Sequence, residues 1–322
     1  MPDHLQPEGQ AVALVSENQV HPSGSALVEI DHVTKTFGTK TALKNISFFV
    51  PAGQICGLLG PNGAGKTTTF SMMCGYLRPN QGQIRINGKD PTKPGALKGV
   101  VGVLPQDAAL PAPGTVGGVL TYWARLSALP DPEREAKEAL ERVGLVESWG
   151  TSTQALSHGM AKRISLAQSL MGTPPVLLLD EPTAGLDPRI AAQVRQLMRE
   201  LKGHRTLVVS SHNLHELEEL CDAAAILDRG TLVEAGSMAE LTSKSAEFRV
   251  EIARGTVPLE ELILIPGCVG ATLDPSGILV VRFKGQPEEV ISPTVGFLLS
   301  RGVLILGVTR GRKLEERVLE VT

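Results

Sequence analysis

Nowhere in its 322 residues does the chain hold an uninterrupted apolar run of about 18 residues, the length a membrane-spanning helix needs. Membrane association is therefore expected only through a partner. Cysteine is scarce as well. Cys56, Cys74, Cys221 and Cys268 are scattered, with no C-x-x-C pair and no histidine in metal-binding spacing, which argues against a zinc knuckle or disulfide framework and for buried thiols in a reducing compartment. Excess charge is missing too. The 31 Lys and Arg against 34 Asp and Glu leave a net of −3 with no long basic run, which argues against nucleic acid as the main partner. Residues 1–25 lack the basic start and long apolar core of a signal peptide, holding only the short run Ala11–Val15 after Asp3, His4 and Glu8. They are read as a mobile tail.

What is present without a gap is a phosphate loop. Gly60 to Thr67 reads Gly-Pro-Asn-Gly-Ala-Gly-Lys-Thr and fits G-x-x-x-x-G-K-S/T, directly behind the apolar run Ile55-Cys56-Gly57-Leu58-Leu59. The β- and γ-phosphates of a nucleotide crowd several negative charges into a small volume, so their site needs converging backbone N–H donors, a flexible cation and a metal. Lys66 is expected to reach these phosphates as a point charge, and the Thr67 hydroxyl to complete the coordination of Mg²⁺. Thr68 to Cys74 is expected to start a helix whose N-terminal dipole faces the anion. Strand, loop and helix stand in the required order, which disfavours a chance Gly-rich turn.

At this length two domains are expected, one large and one small. Leu27–Ile30, Val33–Gly38 and Ile46–Val50 read as short antiparallel strands with a turn at Gly38. Gln83–Gly88 alternates and then turns, whereas Val100–Leu104, Val176–Asp180 and Thr206–Ser210 are continuous apolar runs of the kind buried parallel strands show. Between the first two of these runs, the proline-rich connector Pro105–Thr115 enters a helical stretch that extends to about Gly172. Pro188–Leu201 reads as a crossover helix, and Asp228-Arg229-Gly230 as the turn of a closing hairpin. The boundaries that follow are a tail 1–25, a nucleotide-binding domain 26–242 and a small C-terminal domain 243–322. The latter reads β-α-β-β-α-β, a split β-α-β sandwich of ferredoxin-like type. The fold class is α/β, with an antiparallel β subdomain, a parallel-sheet core, a helical subdomain and a small α+β domain at the end.

Three further segments carry chemistry. Asp180 and Glu181 close a buried strand, and side chains at a strand's carboxyl end emerge into the crevice where open α/β sheets bind ligands. There Asp180 is suited to hold Mg²⁺ and Glu181 to polarise the water that attacks the γ-phosphate; a plain helix cap is the alternative for such a pair. His212 directly follows Thr206–Ser210 and Ser211, which puts it on the same edge, within reach of the γ-phosphate or the attacking water. Ser157, within Leu156-Ser157-His158-Gly159-Met160, is a good N-cap residue for a helix with Ile164, Leu166, Leu170 and Met171 near one stripe. That helix start either does nothing more than cap or is offered to a phosphate on a second molecule.

Taken in order, these elements resemble the nucleotide-binding subunit of an ATP-binding cassette (ABC) transporter over roughly Leu27 to Gly236. Gly60 to Thr68 resembles the Walker A loop, Gln106 the Q-loop, Leu156–Met160 the signature, Val176–Glu181 Walker B, Ala184–Asp187 the D-loop and His212 the switch histidine. The resemblance implies that ATP is held by Gly60, Pro61, Asn62, Gly63, Ala64, Gly65, Lys66, Thr67 and Thr68, with Phe37 stacked on adenine. It implies Mg²⁺ among Thr67, Gln106 and Asp180, and catalysis by Glu181, His212 and Lys66. Two head-to-tail copies would sandwich two ATP molecules, so that Ser157 and Gly159 of one contact the γ-phosphate held by Lys66 of the other. Gln106 would relay the motion to a membrane permease, which places the chain at the cytoplasmic face of the inner membrane.

His158 and Met160 replace a Gly and a Gln of the common Leu-Ser-Gly-Gly-Gln signature, so His158 is expected to crowd the dimer interface or make it pH-sensitive. The ending Lys313–Thr322 is similar to that of the exporter branch with ABC-2 type permeases, or else is a generic amphipathic helix. Competing readings are a soluble cassette ATPase acting on DNA or ribosomes and an ATP sensor without turnover. The first calls for a coiled-coil insertion or two cassettes with a basic linker, and the second for loss of Glu181 or His212. None of these features is seen. A GTPase is disfavoured because no N-K-x-D motif occurs.

Overall fold

The computed structural model describes residues 26–107, 109–211, 213–243, 247–310 and 318. The expected tail 1–25, His212 and the segment Lys313–Thr322 apart from Val318 lie outside the described residues. Two compact units divide between Met238 and Ala239.

The first unit opens with β1 (Ala26–Phe37) and β2 (Lys40–Pro51), paired antiparallel across a turn at Gly38, whose φ of 56° lies in the left-handed region. The sequence suggests a break near Asp31-His32; instead β1 runs through it as a bulge, with the register slipping between Ile30 and Val33 and His32 at φ 48°. The backbone donor released there is satisfied, because the His32 N–H donates to Ser47 Oγ at 2.7 Å. β3 (Ile55–Leu59) leads through the phosphate loop into α1 (Lys66–Met73), and β4 (Gln81–Ile86) returns to the other edge of β1, giving a sheet of order β2-β1-β4.

β5 (Val101–Leu104) ends at the proline-rich connector. Three helices follow: α2 (Val116–Leu126), α3 (Pro132–Arg142) and α4 (His158–Leu170). Then come β6 (Val176–Asp180), α5 (Pro188–Leu201), β7 (Thr206–Ser210), α6 (Leu214–Leu220), β8 (Ala223–Asp228) and β9 (Thr231–Ser237), with α7 (Met238–Ser243) starting at the division. The second sheet runs β5-β6-β7-β3-β8-β9; its first five strands are parallel and β9 closes it antiparallel to β8. Every residue of β3, β6 and β7 is buried, which is why these strands read as unbroken apolar runs rather than alternation. One core joins the two sheets, with Val28 and Phe48 on one side and Leu58, Met73 and Leu178 on the other.

α4 departs from the expected single stripe. Lys162, Ile164–Ala167, Ser169 and Leu170 are all buried, because the helix lies between β5 and the pair α2 and α3. Its backbone touches the strand directly: a Cβ on Gly102 would stand 1.9 Å from the Ser169 carbonyl oxygen.

The second unit comprises β10 (Glu247–Arg254), α8 (Leu259–Leu262), β11 (Cys268–Leu273), β12 (Ile278–Phe283), α9 (Pro287–Ser300) and β13 (Leu304–Arg310). Its sheet runs β11-β12-β10-β13 with every pairing antiparallel, so each helix connects two strands that have a third between them. Phe248, Val250, Leu279, Val281 and Phe283 pack with Val290 and Leu298 of α9 as a separate core.

Candidate functional site

The phosphate loop is shaped by glycines that have no alternative. Gly60, Gly63 and Gly65 stand at φ 141°, 84° and 110°, and a Cβ on Gly60 would lie 2.1 Å from the Leu227 carbonyl oxygen, one on Gly65 2.5 Å from Leu43 Cδ2. Gly65 is the N-cap of α1, so the helix begins at Lys66, two residues before the expected start at Thr68. Lys66, Thr67 and Thr68 thereby form the first turn, whose N–H groups have no acceptor within the helix and face an incoming anion. Lys66 Nζ donates to the carbonyl of Gly60 and, at 3.2 Å, to that of Pro61. Burial lowers its pKa, while Glu181 and Asp180 pull it back up.

A cavity of about 560 Å³ opens above the loop. It follows the carboxyl edge of the second sheet. On the β8 side stand Phe37, Lys40 and Arg229; in the middle the loop, with Asn62, Gly63, Gly65 and Lys66 to Thr68; on the β5 and β6 side Gln106, Asp180 and Glu181. Strands β3 and β6 are two places apart, roughly 10 Å, so side chains from both reach one bound nucleotide. Phe37 is 46% exposed, with Lys35 Nζ 5.0 Å from its ring centroid.

β7 lies between the loop strand and the acidic strand, and its last residue joins them. Ser210 is in register with Leu58 of β3 and with Asp180 of β6. Its hydroxyl donates to the Asp180 carboxylate and accepts the Glu181 N–H at 3.0 Å. Burial raises the Asp180 pKa, and the Ser210 hydrogen bond and the cations Lys66 and Lys162 oppose that rise. Glu181 leaves the strand at φ 52°, a backbone region costly for a residue with a side chain. Thr67, Gln106 and Asp180 line one cavity with a hydroxyl, an amide and a carboxylate, a hard-oxygen set that fits Mg²⁺ held together with substrate phosphates.

Ser157 caps α4, its Oγ accepting the Met160 N–H at 3.2 Å, and neither it nor Gly159 lines the cavity of its own chain. His158 and Gly159 bear on the Ala184–Asp187 segment instead. A Cβ on Gly185 would stand 3.2 Å from the His158 ring, and one on Gly159 3.3 Å from Leu186 Cδ2. Asp187 caps α5, accepting from the N–H groups of Arg189 and Ile190.

Sequence reasoning passed over Lys40, Thr41, Ala42, Arg229 and Ser210. For Ser210 and Arg229 a signal existed: a polar residue ending an apolar run, and an arginine where a two-residue turn favours asparagine.

A strand, a glycine loop, a lysine at a helix start and paired carboxylates on a neighbouring strand end define a phosphate-loop nucleotide hydrolase. Comparison with known proteins narrows the class. The family model described as ABC transporter matches residues 43–184. The linearmycin resistance ATP-binding protein LnrL of Bacillus subtilis is 36% identical over 225 residues, 68% of this chain and 71% of that protein. The daunorubicin resistance ATP-binding protein DrrA3 of Streptomyces coeruleorubidus is 33% identical over 303 residues, 92% of this chain and 95% of the other. Among solved structures, cbiO1 of Clostridium perfringens, part of the ABC transporter complex cbiONQ, superposes with a TM-score of 0.61 at 28% identity over 67% of this chain and 90% of its own. The chain belongs to the ABC transporter family, as an ATP-binding subunit that hydrolyses ATP. Among the described residues no helix is long and apolar enough to cross a membrane.

Proposed function

We propose that the chain powers an exporter through a separately encoded permease of the ABC-2 type, at the cytoplasmic face of the membrane. The observation that carries this reading is the placement of Lys66, Asp180 and Glu181 in one cavity, beside relatives whose names speak of drug resistance. Lys66 and the first-turn amides of α1 hold the β- and γ-phosphates, and Phe37 stacks on adenine. Thr67, Gln106 and Asp180 hold Mg²⁺, which when bound neutralises phosphate charge. Glu181 orients and polarises the attacking water, assisted by His212. In this reading the nucleotide-binding domain spans 26–242 and a separate small domain 243–322.

Ser157 and Gly159 stand away from the cavity of their own chain, so they serve the γ-phosphate only in a second, head-to-tail copy. Size-exclusion chromatography with light scattering on Glu181→Gln tests this. With ATP and Mg²⁺ the variant is expected to run as a dimer and to hydrolyse ATP at least about 100-fold more slowly than wild type. Hydrolysis at the wild-type rate would overturn the role of Glu181, and a persistent monomer, with permease added, the dimer.

A further inference from the structure

The turn between β8 and β9 breaks a local rule at the edge of the nucleotide cavity. Asp228 and Thr231 are in register, so Arg229 and Gly230 are the two central residues, at φ 44° and 81°. Two positive φ values are what a type I′ turn demands, and Asn-Gly satisfies them most cheaply. An arginine in the first position holds a left-handed backbone at a cost that its loose ion pair with Asp228, 3.8 Å apart, does little to offset.

The turn is also fixed in place. The Gly230 N–H donates to the carbonyl of Ala64 inside the phosphate loop at 3.0 Å, and the Gly230 carbonyl accepts from the Lys44 N–H at 2.7 Å. A Cβ on Gly230 would stand 2.4 Å from the Ala42 carbonyl oxygen, so the turn is pressed between loop and β2. Arg229 lines the cavity with a side chain that is 87% exposed. Along the sheet edge it stands on the β8 side of the loop, opposite the carboxylates on β6.

We propose that Arg229 binds the nucleotide itself, its guanidinium donating to the α-phosphate, which the neutral amides of the loop cradle and Lys66, reaching the β- and γ-phosphates, does not neutralise. The backbone strain at Arg229 is retained because this position of the stapled turn, beside Lys40, holds a cation at the cavity edge. A guanidinium suits the task, since its planar fork matches phosphate oxygens and it stays charged at any physiological pH. The proposal rests on the ATP-binding role of the cavity.

Calorimetric titration of the full chain with ATP and with ADP tests it, using Arg229→Asn, Arg229→Ala and Arg229→Lys. Asparagine suits the turn better than arginine, so Arg229→Asn is expected to melt no lower than wild type and still to raise Kd about tenfold. The factor should be the same for ATP and ADP, which share the α-phosphate, and should shrink at high salt. Arg229→Ala is expected to match Arg229→Asn in binding, and Arg229→Lys to fall between it and wild type. Wild-type affinity in Arg229→Asn would overturn the proposal, and a loss confined to ATP would move the guanidinium to the γ-phosphate and overturn the α assignment. A wild-type chain that bound neither nucleotide would instead overturn the reading beneath it.

Discussion

The N–H of Glu181 donates to the hydroxyl of Ser210 at 3.0 Å, and the same hydroxyl donates to Asp180. One serine thus sets the backbone of the residue assigned to the water and the side chain of the residue assigned to the metal. It comes from β7, the strand between those of the loop and the acidic pair. Replacing Ser210 with alanine leaves the buried Asp180 carboxylate short of a donor, while the Glu181 N–H keeps the Ser210 carbonyl at 3.2 Å, at a cost of about 1–3 kcal/mol. Ser210→Ala is expected to shift the urea midpoint down and to lower kcat more than it changes KM. A variant with wild-type kcat would show that the hydroxyl only packs.

Lys66→Ala removes the cation from the place where negative charge develops. Hydrolysis is expected to fall at least about 100-fold. Thermal stability should change little, since the ammonium donates to the loop's own carbonyls at Gly60 and Pro61 and its attraction to Glu181 and Asp180 is opposed by the burial of its charge. Retained turnover in a steady-state phosphate-release assay would count against the loop as the phosphate site.

Gly185→Ala places a Cβ 3.2 Å from the His158 ring on a backbone at φ 75°. Two costs combine: about 1 kcal/mol from the left-handed backbone and a further one from the ring. His158→Gly removes only the second. The urea-measured double-mutant cycle is therefore expected to show a coupling of about 0.5–3 kcal/mol, and strict additivity would mean that the ring is free to turn away.

Burial pushes the Cys56 and Cys74 thiols up to about 12, and that of Cys221 well above its ordinary 9.0. A thiol whose folded pKa exceeds its unfolded one adds stability that is fully present below pH 9 and is lost as pH rises from 9 towards 12. In native protein at pH 8 these three cysteines should resist Ellman's reagent and become titratable in denaturant. Fast labelling of Cys56 in the native state would contradict the core as described.

The site was legible where its residues are contiguous and unevenly so elsewhere. Gly60 to Thr67 is eight adjacent residues, and Asp180-Glu181 follows a run that alternates with nothing, so neither needs knowledge of neighbours. α1 starts two residues before the expected Thr68 because Gly65, at φ 110°, serves as its N-cap without any side chain to announce it. α4 looked like a one-sided helix because apolar spacing shows only one of its buried faces. The polar residues Ser165, Ser169 and Lys162 are buried as well, and their types do not mark them as interior.

From the residues alone came the nucleotide loop, the acidic strand end, the parallel core and the division into a large and a small part. Each depends on local spacing, which the backbone geometry of strands and helices imposes directly. Strand order was a different matter. Placing β7 beside β6 brings Ser210 to Asp180 across 30 positions of sequence, and pinning the β8–β9 turn on Ala64 brings Arg229 to the loop. Such pairings arise only when buried surfaces and hydrogen-bond registers of distant segments are satisfied together, a condition that no single stretch of the chain records.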